Sequence, residues 1–267
     1  MNVLIDDKVS CQIEGEGPTI VPLHSLLAGS SSFDRIVPDL AKSFRVVVPD
    51  LPGFGLSLSV EGGLIGAAEA LASAIRTIAP DRKPIVLGNG YGGFVVLQIA
   101  IRHPDLAQRL IFADCGAKFS EPGREAFRNM AKGAAAKGFE AIADVAMRRL
   151  FAPEFQDANP ELMKQRRAAF LTTNPAVFQT ACADLAALDL TGELKKVQVP
   201  ALVMVGEQDE ATPVEMSAAL AHGLPDARLE ILPGCAHVPQ LQAPEKFLAT
   251  LSPFVEAAHV VKPKTKA

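Results

Sequence analysis

The segment from Pro84 to Leu97 constrains the fold more than any other part of the chain. It begins with an apolar run, Pro84 to Gly88, passes through a short turn rich in glycine, and continues as an apolar helical pattern. A short apolar run that meets a helical pattern at clustered glycines predicts a buried strand entering a helix through a tight turn. Units of this kind build parallel sheets that are covered by helices on both faces.

The same alternation recurs along most of the chain and predicts an α/β fold with a mostly parallel sheet and helices on both faces. The predicted strands are Lys8 to Ile13, Thr19 to Leu23, Phe44 to Pro49, Pro84 to Gly88, Arg109 to Ala113, Ala201 to Gly206 and Arg228 to Leu232. The predicted helices are Ser32 to Lys42, Leu64 to Ala79, Gly92 to Arg102, Val214 to Gly223 and Pro244 to Ala257.

One long segment departs from this alternation. Residues 118–190 contain no strand pattern, are rich in alanine, and are divided into short helical stretches by Pro153, Pro160 and Pro175. An all-helical insertion between two parallel strands lies at the carboxyl edge of the sheet, where open α/β folds bind ligands. We therefore expect a core of residues 1–117 and 191–267 and a helical lid of residues 118–190.

The composition excludes several classes of protein. A hydrophobic content of 49% supports a large core, and a net charge of -4 disfavours a nucleic-acid-binding surface. The lysines between Lys262 and Lys266 are expected to be a solvated tail. Cys11, Cys115, Cys182 and Cys235 are widely spaced, which favours reduced thiols. Without a leader pattern or a long apolar segment, we expect a cytoplasmic protein that binds neither membrane nor nucleic acid.

Two motifs compete for the glycine turn. In the pattern G-x-S-x-G, the turn Gly88 to Gly92 has Gly90 at the position of the nucleophilic serine. The same residues satisfy G-x-G-x-x-G with Gly88, Gly90 and Gly93, and Asp114 follows at a distance suited to a ribose-binding acid, as in NAD(P)- or FAD-dependent oxidoreductases. A dinucleotide fold usually places this turn after its first strand. Here two or three predicted strands come earlier, which favours the first motif.

Four sequence blocks, in this order at predicted strand ends, resemble the α/β-hydrolase superfamily over nearly the full chain. They are Leu23 to Leu27, Asp50 to Ser57, the glycine turn, and Gly206 to Asp209 paired with Gly234 to Pro239. Within the superfamily the chain is similar to 3-oxoadipate enol-lactonases and to meta-cleavage-product C-C hydrolases. The resemblance implies an enzyme that hydrolyses a small ester, an enol-lactone or a β-diketone-like C-C bond. Its partner would be a small-molecule substrate, and we expect neither cofactor nor metal.

The predicted catalytic residues are Gly90 at the nucleophile position, Asp209 and His237. A carboxylate that fixes one imidazole nitrogen as a donor leaves the other nitrogen free to accept a proton, and the chain order nucleophile, acid, histidine suits this fold. Asp114, at the end of another strand, is the alternative partner of His237. The resemblance further implies that the amides of Leu26 and Tyr91 form an oxyanion hole.

Substrate contacts are predicted for two further residues. Ser25 stands where enol-lactonases also carry a serine, and Val238 follows the candidate histidine. One of the lid arginines is expected to pair with a substrate carboxylate. These candidates are Arg124, Arg128, Arg148, Arg149, Arg166 and Arg167. Three phenylalanines, Phe151, Phe155 and Phe170, are candidate pocket walls.

Gly90 leaves three interpretations open. It can be an inactivating replacement of serine in an otherwise complete hydrolase site. It can belong to a serine-free enzyme in which His237 activates water directly, or to a non-catalytic binding protein of hydrolase ancestry. Neither Cys115 nor Cys235 lies at the turn, and Ser30 to Ser32 are better suited to capping a helix. The sequence therefore identifies no substitute nucleophile.

Overall fold

The structure is a computed structural model that describes residues 2–257. Its strands are β1 (Asn2–Ile5), β2 (Val9–Glu14), β3 (Thr19–Leu23), β4 (Arg45–Pro49), β5 (Ile85–Asn89), β6 (Arg109–Ala113), β7 (Ala201–Gly206) and β8 (Ala227–Leu232). They form one eight-stranded sheet in the order β1-β2-β4-β3-β5-β6-β7-β8. β2 pairs antiparallel with β1 and β4, and the other neighbours are parallel. The predicted α/β class with a mostly parallel sheet is confirmed.

The helices of the described residues lie on both faces of this sheet and in the segment between β6 and β7. They are α1 (Val37–Leu40), α2 (Gly63–Ile78), α3 (Tyr91–Arg102), α4 (Glu121–Lys137), α5 (Glu140–Arg148), α6 (Pro153–Ala158), α7 (Pro160–Leu171), α8 (Pro175–Ala187), α9 (Val214–Gly223), α10 (Pro239–Gln242) and α11 (Pro244–Glu256). α2, α3 and α9 pack on one face, and α1 and α11 pack on the other.

The strands divide their side chains between two hydrophobic clusters. Along β5, Val86 belongs to the cluster under α2 and α3, whereas Ile85 and Leu87 belong to the cluster under α11. Along β7, Val203 belongs to the first of these clusters and its neighbour Leu202 to the second. Successive side chains of a strand point to opposite faces, so both faces of a parallel sheet need an apolar covering. This explains why the central strands are apolar without interruption.

Two parts of the sequence prediction are corrected by the structure. β1 was not predicted; it joins β2 through Asp6 and Asp7, whose φ angles are 50° and 54°. Positive φ at both central residues is the geometry of a tight hairpin turn, which glycine or asparagine signals better than aspartate. The predicted helix from Ser32 to Lys42 is instead a 3-10 turn at Ser30–Phe33 followed by the short α1. Pro38 lacks an amide proton and therefore cannot continue a helix that began earlier.

The segment between β6 and β7 contains α4 to α8, as its helical pattern indicated. An isolated antiparallel bridge joins Lys118 to Asp189, and a 2.6 Å ion pair connects their side chains. The segment also contacts the core directly, since the Val238 amide donates a 3.1 Å hydrogen bond to the carbonyl of Leu150. Its assignment as a lid with limits at 118 and 190 stays a prediction.

All four cysteines are buried and unpaired with one another. Within residues 2–257, no helix combines the length and apolar character needed to cross a membrane. The lysine-rich run from Lys262 to Lys266 lies outside the described residues.

Candidate active site

The turn between β5 and α3 places Gly90 at the carboxyl edge of the sheet with φ 52° and ψ -118°. The Gly90 amide donates to the carbonyl of Ala113, and the Gly93 amide donates to the carbonyl of Gly90, both over 2.9 Å. A Cβ atom at position 90 would lie 2.7 Å from Nε2 of His237. The turn therefore directs any side chain at position 90 towards this imidazole, and its positive φ favours glycine.

His237, after β8, is held by Asp209, after β7. Nδ1 of His237 donates a 2.9 Å hydrogen bond to Oδ2 of Asp209, and both side chains are almost fully buried. The Thr212 hydroxyl donates to the same Oδ2 over 2.6 Å, while the amides of Ala211 and Thr212 donate to Oδ1. An imidazole whose Nδ1 carries the proton presents an unprotonated Nε2, which is the state required of a general base.

The pKa of Asp209 reflects opposing influences. Burial by itself raises this pKa, but the charge of His237 and the hydrogen bonds from His237 and Thr212 outweigh it, and the net shift is downward. Asp209 is therefore ionised at neutral pH, and it can stabilise the imidazolium that proton transfer would create. Thr212 was not predicted as a site residue, although the Asp-x-x-Thr spacing is suited to a turn in which the acid accepts hydrogen bonds from the backbone.

Asp114, the alternative partner, lies next to Asp209, and within residues 2–257 it forms no hydrogen bond with His237. Its Oδ1 accepts a 2.8 Å hydrogen bond from the Gly206 amide, and Nδ2 of Asn89 lies 3.3 Å from its Oδ2. Complete burial, followed by the charge of Asp209, raises the pKa of Asp114 well above its ordinary value. The structure thus contains two neighbouring carboxyl groups whose pKa values shift in opposite directions, that of Asp209 downward and that of Asp114 upward.

Asn89 is a polar residue near the site that the sequence analysis did not identify. Its Nδ2 donates a 2.9 Å hydrogen bond to the carbonyl of His237, and its Oδ1 accepts one of 3.1 Å from Gln240. The side chain is fully buried at the end of β5, beside the turn. A buried amide in an otherwise apolar strand is the signal that would have identified it, because such groups need hydrogen-bond partners. Asn89 connects the turn at Gly90 to the loop that carries His237.

The loop after β3 is fixed by His24. The Leu51 amide donates to Nε2 of His24 over 3.0 Å, so Nδ1 carries the proton and donates to the carbonyl of Ser25 over 2.9 Å. Complete burial lowers the pKa of His24 and keeps the imidazole neutral. In a trans peptide, the carbonyl and the following amide point in opposite directions. Holding the Ser25 carbonyl on the His24 side therefore directs the Leu26 amide away from it.

The amides of Leu26 and Tyr91 are free to bind a ligand. Neither donates a hydrogen bond to an acceptor within residues 2–257, and both residues line the same cavity as Gly90 and His237. Tyr91 is the first residue of α3, where helix amides lack acceptors and the helix dipole favours negative charge. Two such amides can stabilise the oxyanion of a tetrahedral intermediate, which is the role predicted for them.

The cavity beside Gly90 has a volume of about 30 Å³. Its apolar walls come mainly from Phe94, Phe119, Phe127, Met130 and Leu185. An adjoining cavity of about 540 Å³ shares Phe119, Phe127, Arg149 and Ala211 with it and widens towards α9. The inner space has room for about one or two water molecules, whereas the outer one has room for a small organic molecule.

The predicted substrate contacts divide into two groups. Ser25 lines the inner cavity, whereas Val238 does not; Val238 is fully buried and its amide donates a hydrogen bond to the carbonyl of Leu150, after α5. None of the predicted walls Phe151, Phe155 and Phe170 lines the inner cavity. They pack within the helical segment instead, with Phe151 against Phe155 and Phe170 against Phe139.

Among the six candidate arginines, Arg149 is the one that lines both cavities. Arg124 donates to the carbonyls of Phe119, Ala186 and Leu188, and so binds the backbone before α4 and at the end of α8. The remaining pairs are Arg128 with Glu121 and Glu125, Arg167 with Glu140 and Asp144, and Arg166 with Ala28 and Ser31. Arg148 is exposed and lines neither cavity.

The dinucleotide interpretation of the glycine turn requires an accessible acidic residue that binds the ribose, and the structure does not provide one at Asp114. Asp114 is fully buried, so its carboxyl group cannot reach a ribose hydroxyl. Close packing explains the glycines, since a Cβ at Gly88 would lie 2.3 Å from the Gly92 carbonyl oxygen and one at Gly92 would lie 2.2 Å from that of Leu23. The turn is thus shaped to bring α3 against β3 and β5.

A mostly parallel sheet that brings together a tight turn after β5, an acid after β7 and a histidine after β8 defines the α/β-hydrolase class. Residues 18–244 match the α/β hydrolase fold family, and the chain belongs to that family. It is 27% identical over 260 residues to a pimeloyl-[acyl-carrier protein] methyl ester esterase of Nitrosospira multiformis, covering 92% of this chain and 98% of the relative. A 2-hydroxy-6-oxo-6-phenylhexa-2,4-dienoate hydrolase of Burkholderia cepacia is 26% identical, covering 87% and 86%.

Solved structures of α/β hydrolases have the same fold as this chain. The enol-lactonase of Burkholderia xenovorans superposes with a TM-score of 0.86 at 25% identity, covering 96% of this chain and all of the other. A thermophilic esterase of Thermogutta terrifontis has the same fold, with a TM-score of 0.86, 24% identity and coverage of 97% and 99%. The α/β-hydrolase family predicted from the sequence blocks is confirmed, and the chain is an enzyme of the hydrolase type.

Proposed function

We propose that the protein hydrolyses a small carboxylic ester or enol-lactone, or a β-diketone-like C-C bond, with His237 as general base. One observation carries this proposal: Nε2 of His237 faces position 90, while Nδ1 is held 2.9 Å from Asp209. This is the geometry in which an imidazole can take a proton from a nucleophile and return it to a leaving group. The esterase, C-C hydrolase and enol-lactonase among the relatives support the same group of substrates.

The oxyanion hole in this proposal consists of the amides of Leu26 and Tyr91. Both lack protein acceptors in the described part of the chain, and both line the cavity that contains His237. Donors that are already aligned do not have to reorganise as negative charge develops on the substrate oxygen. Backbone donors also persist whatever side chain stands at position 90.

The substrate is proposed to be small and largely apolar at its acyl end. Phenylalanine, methionine and leucine side chains form most of the inner wall, and Arg149 stands where the inner and outer cavities meet. Within the described residues the side chain of Arg149 has no hydrogen-bonding partner, and an arginine of this kind at the mouth of an apolar pocket suits a substrate that carries a carboxylate at the end remote from the scissile bond. A dicarboxylic acid monoester or a lactone acid has this chemistry.

The test is hydrolysis by the purified protein and by His237→Ala. The substrates are p-nitrophenyl acetate, a methyl monoester of a dicarboxylic acid, an enol-lactone and a ring-fission β-diketone analogue. We expect saturable hydrolysis of at least one of them, and a fall of about 10²- to 10⁴-fold in kcat for the variant, because a general base contributes an effect of this size. Equal rates in the two proteins would contradict the proposal. Saturable binding without turnover would favour a non-catalytic binding protein instead.

A further inference from the structure

Ser25 fills the space next to the glycine that stands at the nucleophile position. A Cβ atom built on Gly90 would lie 2.7 Å from Oγ of Ser25 and 3.0 Å from its Cβ. Both separations are shorter than ordinary contact, so the side chain of Ser25 can hold its present position only while residue 90 is a glycine. Ser25 is 1% exposed and lines the inner cavity together with Gly90 and His237.

The hydroxyl of Ser25 contacts the atom that a nucleophile in this site needs. Its Oγ lies 3.3 Å from Nε2 of His237, whose Nδ1 donates to Asp209 over 2.9 Å. Nδ1 carries the imidazole proton, so Nε2 is the acceptor and the hydroxyl is the donor. Hydrogen bonds therefore join the Ser25 hydroxyl to the His237 imidazole and the imidazole to the Asp209 carboxylate. This is the order of groups in a site where a base activates a nucleophile and an acid orients the base.

The other hydroxyl and thiol groups near the site are engaged or inert. Thr212 donates its hydroxyl proton to Asp209, and burial raises the pKa of the Tyr91 phenol. Complete burial raises the pKa of Cys115 well above its ordinary value, and Cys235 does not line the cavity. Among the described residues that line the inner cavity, Ser25 is the one hydroxyl hydrogen-bonded to Nε2 of His237.

We propose that Ser25 is the catalytic nucleophile of this enzyme and has taken over the function of the absent residue-90 side chain. The inference rests on the proposed hydrolase function and specifies its mechanism. In this mechanism the nucleophile comes from the loop after β3 and not from the turn after β5. In the usual arrangement the amide after the nucleophile and an amide of the β3 loop bind the oxyanion. Here the amide after Ser25 is that of Leu26, and the turn at Gly90 contributes the amide of Tyr91. Both oxyanion donors are thus kept while the hydroxyl changes loops.

The chemical steps balance with these groups alone. Oγ of Ser25 attacks the ester carbonyl carbon, its proton passes to Nε2 of His237, and the carbonyl π electrons move onto the oxygen bound by the two amides. The tetrahedral intermediate collapses, the C-O bond to the alcohol breaks, and the leaving oxygen takes the proton from His237. Water then attacks the acyl-Ser25 ester, gives its proton to His237, and the collapse returns that proton to Ser25 as the carboxylic acid leaves.

The experiment combines covalent labelling with ester hydrolysis. The wild-type protein is treated with phenylmethylsulfonyl fluoride or a fluorophosphonate and digested with trypsin, which releases residues 9–35 by cleavage after Lys8 and Arg35. Fragment masses distinguish Ser25 from Ser10 and Ser30 to Ser32 within this peptide. Ser25→Ala and His237→Ala are treated in parallel, and Ser73→Ala, on the exposed side of α2, is the matched serine control.

We expect an adduct on Ser25 in the wild type and in Ser73→Ala, and none in Ser25→Ala or His237→Ala. With p-nitrophenyl acetate, Ser25→Ala should lose about 10²-fold or more in kcat, because a nucleophile and its base act as one unit. The melting temperatures of the variants are recorded so that a loss through unfolding is recognised. Labelling of the wild type does not depend on the folding of any variant.

Each other outcome has a defined meaning. Hydrolysis that persists in Ser25→Ala, with no adduct on Ser25, would overturn the inference and leave the proposed function standing through water activated by His237. An adduct on Ser25 without turnover of any substrate would support the nucleophile and contradict the proposed function. Neither adduct nor turnover would contradict both.

Discussion

Asp209 accepts a 2.9 Å hydrogen bond from the protonated Nδ1 of His237, and its carboxyl group also adjoins that of Asp114, whose pKa it raises. The two acids lie after β7 and β6, and their pKa values shift in opposite directions because Asp209 faces a partner that can become a cation. Burial alone would raise the pKa of both carboxyl groups. Which of them serves the histidine is therefore decided by a hydrogen bond and not by the residue type.

Asp209→Asn should reduce kcat by roughly 10⁴-fold with little change in KM, because an amide neither fixes the same tautomer nor stabilises the imidazolium. Asp114→Asn is the matched control, since Nδ1 of His237 donates its hydrogen bond to Asp209, whereas Asp114 binds the Gly206 amide. We expect its kcat to stay within about tenfold of the wild type. Steady-state kinetics with p-nitrophenyl acetate measures both. A larger loss in Asp114→Asn than in Asp209→Asn would reverse the assignment.

Gly90→Ser should destabilise the protein by about 1–3 kcal/mol, because a residue with a Cβ is strained at the φ of 52° observed here. The new Cβ would also crowd Ser25 and His237. Removing the Ser25 side chain as well should recover part of this loss. We expect the double variant Gly90→Ser/Ser25→Gly to have a higher melting temperature than Gly90→Ser. We also expect it to hydrolyse p-nitrophenyl acetate faster than Gly90→Ser does.

Chemical denaturation of both single variants and the double variant completes a mutant cycle. Residues in contact show interaction energies of about 0.5–3 kcal/mol, and we expect a favourable value in this range for positions 25 and 90. An additive cycle would show that the two side chains do not share the same space. An unchanged or higher melting temperature for Gly90→Ser would contradict strain at this turn.

Arg149→Ala should raise KM for substrates that carry a carboxylate by about 10- to 100-fold, since a hydrogen bond to a charged group contributes about 1.5–3 kcal/mol. KM for p-nitrophenyl acetate, which carries no charge, should change little. Arg148→Ala removes the same charge from an exposed neighbour that lines neither cavity, and so controls for the general electrostatic effect of a positive charge on this helical segment. Equal effects on charged and neutral substrates would exclude a direct contact with the carboxylate.

His24 makes the stability of the protein depend on pH. Burial lowers the pKa of His24 below its ordinary value of 6.5, so below that pH the unfolded chain binds this proton more readily than the native protein does. The stability contributed by neutral His24 is present above about pH 6.5 and is lost as the pH falls below it. His24→Gln should be less stable than the wild type at pH 7.5, and this difference should shrink towards pH 5.

Urea unfolding between pH 5 and pH 8 measures the difference. His222→Gln, on an exposed position of α9, controls for the loss of a histidine elsewhere. A difference between wild type and His24→Gln that stays constant with pH would show that His24 titrates alike in the native and unfolded chains.

Much of the fold was predictable because its signals are local. The apolar runs of β5 and β7 are long enough to be buried on both faces, and the glycines after Gly88 meet a close-packing requirement that only small residues satisfy. β1 was missed because Val3 and Leu4 are 39% and 51% exposed and its turn uses two aspartates. The helix that contains α1 was predicted too long because the apolar pattern continues through Pro38. Proline has no amide proton, so the hydrogen bonding of a helix that began earlier cannot continue through this residue.

The site was predictable in part. Asp209 and His237 follow strand ends in the order that the resemblance implies, and the structure places them in contact. Thr212 and Asn89 were not identified, because their importance lies in the partners of their hydrogen bonds and not in their residue types. The substrate contact of Val238 stays a prediction; its amide donates to the carbonyl of Leu150, and the residue does not line the inner cavity.

The sequence alone determined the α/β class, the position of the tight turn and the absence of a side chain at residue 90, because each depends on neighbouring residues or on identity at one position. Tertiary structure alone decided that Asp209 rather than Asp114 faces the imidazole, that Arg149 among six arginines reaches the cavity, and that Ser25 contacts Nε2 of His237. These relationships join residues from separate strand ends. They arise only when the parallel sheet brings the carboxyl ends of β3, β5, β7 and β8 to one edge, where distances of a few ångströms settle the chemistry.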